Sequence, residues 1–323
     1  PADSPWGMVR ARNGHPEPYG VRIWGIGNEI YGPWQLGHVG PTEYGLKAVE
    51  FAAAMRQVDP TIELVGVGVE ADGWGGWNRE VCQIAGSAFD WLSVHYYLDL
   101  NRAAGPELNH SKALGAATAV ERMLGRTYDI ARSASAKHLP LAFDEWNSVV
   151  NGGGGEYGPS EGLFACLVFH ALNRLGEKCP MANLAQIVNV IGAINVTPTR
   201  LVETPLHQAF ALYTHHSGTQ GVAVTTSGAT GGFPWAGEQP VLDACASLSE
   251  DGKRLYIAVV NKMPGEAVSA RVDIAGFTPE GDVTVAGMGG AQDGLWEKVA
   301  SPDALGAYTF PAQSATVLVL HGR

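Results

Sequence analysis

An α/β fold of parallel βα units followed by an all-β domain is the architecture the sequence predicts, and three observations predict it. Up to about Gly218, short apolar runs alternate with longer stretches whose apolar residues recur at helical spacing. From Gln220 onward the runs become short, β-branched and separated by Gly, Pro, Asp and Glu. Gly is abundant, with 42 residues in a chain of 323, as tight βα turns and long loops require.

Taken in order, the opening residues Pro5 to Tyr19 read as loop, and the first strand is expected at Val21–Ile26. A helix follows over Thr42–Gln57, with Thr42 as N-cap, Leu46, Val49 and Ala53 as its apolar positions, and Asp59-Pro60 ending it. The second strand is expected at Ile62–Val67 and the third at Asp90–Tyr97. A long helix over Gly115–Ala136 leads to the fourth strand, Leu139–Phe143. A second long helix, Ser160–Gly176 with Glu161 in its first turn, leads to the fifth strand, Ala182–Val190, and Pro205–His216 is the last helix of this half. Runs such as Leu255–Asn261 and Ser314–Leu320 predict an antiparallel sandwich, so domains are expected at residues 1–218 and 219–323. The one low-complexity tract is Gly152–Gly155. Five βα units are too few to close an eight-stranded barrel, and parallel strands need both faces covered. Either the sheet is open or the first part of a barrel lies outside this chain.

Composition narrows the function. Hydrophobic residues make up 46% and charged residues only 16%, against roughly 25% in average domains. The net charge of -11 argues against a nucleic-acid partner, which needs a Lys/Arg surplus, and against an anionic membrane surface. It suits a neutral sugar. No stretch is apolar for long enough to span a membrane. Cys82, Cys166, Cys179 and Cys245 are scattered without a CxxC pair and are expected to be reduced thiols, most of them in apolar surroundings. The chain opens Pro1-Ala2-Asp3-Ser4, with neither Met nor a secretory signal, and a cytoplasmic rather than secreted location is expected.

Two segments carry the chemistry. Trp24-Gly25-Ile26-Gly27-Asn28-Glu29 and Leu141-Ala142-Phe143-Asp144-Glu145-Trp146-Asn147 are apolar runs that end abruptly in a carboxylic acid. A Glu at the end of a hydrophobic strand costs free energy unless it is satisfied or used. Two of them at the C-terminal ends of parallel strands suggest the paired carboxylates of a retaining glycosidase, about 5–5.5 Å apart, one the acid/base and one the nucleophile. The acid must keep its proton near neutrality, and hydrogen-bond donors favour an ionised nucleophile. On the third strand, alternation sends His95 and Tyr97 to one face and Tyr96 to the other, so His95 and Tyr97 are placed to hold a carboxylate; a buried aromatic layer with a satisfied His is the alternative. The same alternation turns Asp144 away from Glu145, which suggests a structural role. Asn28 and Gln186 can bind sugar hydroxyls, and Trp34, Trp74, Trp77 and Trp146 lie in or beside rim loops, where flat rings offer platforms for sugar faces. There is no HExxH, P-loop, GxSxG or GxGxxG signature, and His215-His216 is wrongly spaced for shared metal ligation on a helix. Neither a metal nor an organic cofactor is expected.

The run Trp24 to His38 resembles the acid/base segment of the glycoside hydrolase family 51 α-L-arabinofuranosidases. The runs Asp59–Glu63, Ser93–Tyr97, Phe143–Asn147 and Asn183–Asn189 resemble that family collinearly over residues 1 to 218, and the sandwich after them fits too. The resemblance implies a (β/α)8 TIM barrel whose strands four to eight are visible here, followed by an all-β sandwich domain. It implies Glu29 as acid/base and Glu145 as nucleophile. It places Asn28 beside the leaving oxygen, Tyr97 and His95 against the nucleophile, and Gln186 in the sugar pocket. Val149 departs from the family, which often has an aromatic residue near that position. The family's N-terminal segment has no counterpart here, so a fragment, one chain of a split enzyme, or a chain completed by a second copy or a complementing N-terminal segment is expected. The implied activity is release of terminal α-L-arabinofuranosyl residues from arabinan- or arabinoxylan-type oligosaccharides. Another retaining barrel glycosidase, such as an endoglucanase or β-xylosidase, and a non-catalytic carbohydrate-binding or assembly subunit remain the alternatives.

Overall fold

The computed structural model describes residues 2–150, 157–290, 292 and 294–323; the Gly152–Gly155 tract lies outside them. Two compact units divide the chain, Pro1–Ser93 with Asp129–Pro140, and Val94–Tyr128 with Leu141–Arg323.

The first unit opens with α1 (Pro5–Arg12), a helix where a loop was expected. Its signals are a Ser4 cap whose Oγ accepts from the Gly7 amide at 3.0 Å, and Pro5 at the first helical position. Next come β1 (Ile23–Ile26), α2 (Pro41–Val58), β2 (Glu63–Gly66), α3 (Gly73–Ala85) and the start of β3 (Trp91–Leu100). β1 pairs in parallel with β2, and β2 with β3. Helix α2 begins one residue before Thr42, at Pro41, and Thr42 bonds Glu80 instead of capping. Its buried face is also not the expected one. Tyr44, Gly45, Ala48 and Ala52 face inward, whereas Leu46 and Val49 are exposed. Small residues win that face because α3 comes close: a Cβ on Gly45 would sit 3.0 Å from Ile84. Helix α3 escaped sequence detection because its start, Trp74-Gly75-Gly76, is left-handed at all three residues. Leu64 and Val65 of β2, Trp77 and Val81 of α3, and Phe89 complete this core. Asp90 ties the unit together, accepting from Arg56 at 2.7 Å, Lys137 at 2.6 Å and the Leu64 amide at 2.8 Å.

The boundary between the units falls within β3 and again within α4 (Pro106–Ala134). Helix α4 starts nine residues before the expected Gly115, where left-handed Gly105 and Pro106 mark its N-terminus. The second unit continues with β4 (Leu141–Val150), α5 (Pro159–Leu175), β5 (Met181–Leu184), the hairpin β6 (Ile194–Thr197) and β7 (Arg200–Glu203), and α6 (Pro205–His215). β4 pairs in parallel with β5, which ends at Leu184, earlier than expected. Then follow β8 (Gln220–Val222), β9 (Thr230–Phe233), β10 (Gly237–Pro240), β11 (Leu242–Leu248), β12 (Arg254–Asn261), β13 (Val268–Ala270), β14 (Pro279–Gly289), β15 (Leu295–Ala300), β16 (Tyr308–Phe310) and β17 (Ser314–Gly322).

Six of these strands form an antiparallel sheet ordered β15-β14-β17-β12-β11-β8, and β13 pairs with β16. Ile257, Val259, Val285, Leu318 and Leu320 of the large sheet pack with Tyr308 and Phe310 of the small one. The opposite face of the large sheet carries α5, which explains why β12 and β17 are buried at nearly every position instead of alternating. Helix α5 is itself buried from Glu161 to Val168. Glu161 caps its start by accepting from the Gly158 amide at 3.0 Å, and burial raises its carboxyl above the ordinary range. All four cysteines are free and buried.

Candidate active site

Glu29 lies three residues past the end of β1, in the loop that leads to α2. Tyr44 anchors that strand end. Its hydroxyl donates to the Ile26 carbonyl and accepts from the Val67 amide, each at 2.8 Å, and burial raises its pKa. The chain turns at Gly27 (φ 93°), and Glu29 itself takes φ 45°, a left-handed conformation that is strained for a residue with a Cβ. Glu29 Oε2 accepts from the Trp34 indole N–H at 2.8 Å. Around it stands an aromatic cluster. Tyr31 lies 6.1 Å from Trp34, 5.2 Å from Trp74 and 5.6 Å from Trp77, ring centre to ring centre. Trp34 is 59% exposed and Trp74 48%, so both offer open ring faces. Trp77, expected near the rim, is instead core: it is buried and its indole donates to the Val67 carbonyl at 2.9 Å.

In the second unit, Glu145 sits on β4 opposite two side chains of β3. The Tyr97 hydroxyl donates to Glu145 Oε1 at 2.6 Å, and His95 Nδ1 lies 3.6 Å from Oε2. Alternation on β3 therefore aims His95 and Tyr97 at the carboxylate as expected. β4 extends past Glu145 to Val150, so this Glu lies within the strand and not at its end. Asp144 does not turn away: its Oδ1 lies 3.5 Å from His95 Nε2. Trp146 departs from the sugar-platform expectation. It is 1% exposed, stacked on Phe143 and Phe210 with Phe164 and Phe169 at its edges, so it is a core residue with no face for a ligand. Asn147, one residue on, is fully buried and ties the loop after β5 down by donating to the Ala185 and Ile191 carbonyls at 2.9 and 2.6 Å. Gln186 is exposed in that loop with φ 67°, and Asn28 is exposed beside Glu29.

Sequence reasoning gave Asp144 a structural role only, and did not single out Tyr44 or Asn147. Asp144 was hidden by an irregularity of β4. The other two were legible only as polar residues within apolar runs.

Comparison with known proteins finds arabinofuranosidases along the length of the chain. The family profile described as α-L-arabinofuranosidase C-terminal domain matches residues 144–305, and that described as α-L-arabinofuranosidase 1 domain matches residues 1–113. The chain is 28% identical to a probable α-L-arabinofuranosidase C of Aspergillus clavatus, covering 98% of this chain and 68% of that protein. It is 27% identical to an intracellular exo-α-(1→5)-L-arabinofuranosidase 1 of Bacillus subtilis, over 86% of this chain and 59% of that one. A thermostable GH51 α-L-arabinofuranosidase of Thermotoga petrophila superposes with a TM-score of 0.80 at 31% identity, covering 98% of this chain and 70% of the other. A barrel followed by a β domain is the architecture these likenesses support.

Proposed function

The chain belongs to the glycoside hydrolase family 51 α-L-arabinofuranosidases, and from that premise we propose that it is a retaining enzyme that releases terminal α-L-arabinofuranosyl residues from arabinan- or arabinoxylan-type oligosaccharides. The observation that carries this is the Glu145 carboxylate, with Tyr97 donating to one oxygen and His95 facing the other. A carboxylate held on one oxygen by a short, direct hydrogen bond keeps a fixed orientation, as a nucleophile must.

Glu145 attacks the anomeric carbon while the bond to the leaving oxygen breaks. That oxygen keeps the electron pair and takes a proton from Glu29, so an alcohol departs and an arabinosyl ester remains. Glu29, now a carboxylate, removes a proton from water. The water oxygen attacks the anomeric carbon, the ester bond breaks, and Glu145 is regenerated. Two inversions give net retention. Trp34 orients Glu29 through its indole N–H and offers an exposed ring to substrate. Asn28 contacts the sugar beside the leaving oxygen, and Gln186 lines its pocket.

The parallel strands are strands four to eight of a (β/α)8 barrel, with residues 219–323 as the β-sandwich domain. In this reading β1 receives a further strand, from a complementing N-terminal segment or a second copy. Support comes from Ile23 and Trp24, 42% and 46% exposed at the sheet edge. A cytoplasmic location is part of the same proposal, supported by relatives named as intracellular enzymes. No helix among the described residues is long and apolar enough to cross a membrane.

Arabinose release from an aryl α-L-arabinofuranoside tests the assignment, with Glu145→Ala as the control. Turnover that disappears in Glu145→Ala supports it. Turnover that survives, or release of xylose or glucose from the matching aryl glycosides instead, overturns it.

A further inference from the structure

Consecutive residues of a strand point to opposite faces, yet Asp144 and Glu145 both reach the same imidazole. Asp144 Oδ1 lies 3.5 Å from His95 Nε2, and Glu145 Oε2 lies 3.6 Å from His95 Nδ1. The cause is in the register of β4 on β5. Phe143 pairs with Ala182 and Trp146 with Leu184, so Asp144 and Glu145 together stand opposite Asn183 alone. That is a β-bulge: two residues against one, with the local pleat broken and side chains re-aimed. The ring between the two acids has little freedom, since His95 is 8% exposed while each carboxylate side chain is 31% exposed.

We infer that Asp144 is a positioning residue, which holds the His95 ring through Nε2 and thereby fixes the ring edge that faces Glu145 Oε2. The inference rests on Glu145 being the nucleophile. Asp144 is an acceptor, so the proton it can hold is on Nε2, and it thereby selects the ring's tautomer and plane. Tyr97 anchors Oε1 directly, while Asp144 sets what Oε2 faces: with the single ring proton on Nε2, Nδ1 turns a lone pair toward that oxygen. The Asp144 separation is at the outer limit of hydrogen bonding and the Glu145 one lies beyond it, a range in which the charge of the carboxylate carries more of the interaction than its geometry does.

The test uses the whole chain labelled with 15N-histidine, in which the His95 ring signals are assigned by their loss in His95→Gln. Nε2 is expected to be protonated at neutral pH, and Asp144→Asn is expected to shift both ring nitrogens. Asp303→Asn, at an exposed acid in a 3-10 turn, is expected to leave them in place. With an aryl α-L-arabinofuranoside, Asp144→Asn is expected to lower kcat/KM roughly tenfold, as loss of one partly exposed charge beside a buried ring implies, with KM changed less than twofold and Asp144→Glu restoring part of the rate. An unprotonated Nε2 in the unsubstituted chain, or His95 signals that ignore Asp144→Asn whatever happens to activity, overturns the inference. The first of these needs no variant to fold. A chain without turnover but with the expected spectra refutes the enzymatic assignment and leaves the positioning of His95 by Asp144 intact.

Discussion

Asp243→Asn should destabilise the second unit and erase a pH dependence that the unsubstituted chain shows. Asp243 Oδ1 lies 2.7 Å from His170 Nδ1 and accepts from Arg174 at 3.0 Å, and His170 Nε2 is 2.6 Å from the Tyr213 hydroxyl. Arg174 also grips Glu121 at 2.7 Å. The network joins α4, α5, α6 and β11. Burial alone pushes the His170 ring down, but the Cys245 sulfur and the Asp243 carboxylate against it overcome that, and its pKa rises to about 9. Asp243 acts on the ring both by its charge and by its 2.7 Å hydrogen bond. An imidazole raised from its ordinary value near 6.5 to about 9 contributes roughly 3 kcal/mol at pH values below both. The sign follows: the contribution is complete below about pH 6.5 and is lost as pH rises through about 9. Asp243 is depressed well below the carboxylate range despite burial, because His170 and Arg174 favour its charge; its share is complete above about pH 4 and is lost in strong acid. Removing one member of a buried charged set costs about 3–5 kcal/mol, or roughly 6–20 °C for a unit of this size. Thermal unfolding followed by circular dichroism at pH 6, 7.5 and 9.5 is the assay. The unsubstituted chain should melt progressively lower from pH 6 to 9.5, and Asp243→Asn should melt low and nearly flat across that window. A variant within 2 °C of the parent at pH 6, or a parent insensitive to pH from 6 to 9.5, would refute the reasoning.

Other substitutions separate the site from its scaffold. Tyr97→Phe removes the hydroxyl 2.6 Å from Glu145; a hydrogen bond to a charged partner is worth about 1.5–3 kcal/mol, and at a partly buried site the lower end applies, so kcat/KM should fall roughly tenfold in steady-state assays with no change in melting. Trp146→Ala empties a fully buried site beside four phenylalanines and should cost about 3–5 kcal/mol in denaturant unfolding. Trp34→Ala, at a ring 59% exposed, should cost under about 1 kcal/mol yet depress arabinose release. Asp90 is pushed up by burial but held below the ordinary carboxylate value by Lys137, the Leu64 amide and Arg56. Its stabilisation is therefore present above about pH 4 and lost in stronger acid, so Asp90→Asn should be less stable at pH 7 by about 1 kcal/mol after solvent screening and show a shallower acid-unfolding curve.

Where periodicity and turn chemistry act alone, the sequence was legible. The strand at Ile23–Ile26, the helix at Pro205–His215 and the β-rich texture after Gln220 all sit within a few residues of expectation. The misses have local physical causes. Helix α3 begins through three left-handed residues that break the periodic signal. Helix α2 buries Ala48 and Ala52 instead of Leu46 and Val49, because the close approach of α3 rewards small side chains over apolar ones. Trp77 and Trp146 were read from their proximity to rim loops, but ring burial depends on partners distant in sequence: Tyr44 for the first, Phe164 and Phe210 for the second.

Several residues of the candidate site break local rules. Glu29, Trp74 and Gln186 all take left-handed backbone without being glycine, at a cost of about 1 kcal/mol or more each that the surrounding fold must offset. Strain of this kind persists where a side chain has to be aimed, and Glu29 is aimed at Trp34. The bulge on β4 does the equivalent work for the second carboxylate. Regular alternation would put Asp144 and Trp146 on one face and Glu145 on the other. The inserted residue instead leaves Asp144 and Glu145 together at His95 and sends Trp146 into the core. A single residue of register therefore decides which side chains can meet the nucleophile. Periodicity cannot reveal such an insertion, because Phe143-Asp144-Glu145-Trp146 has the same letters with or without it. Deleting Asp144, which keeps Glu145, would restore the pleat and, by this argument, lower activity.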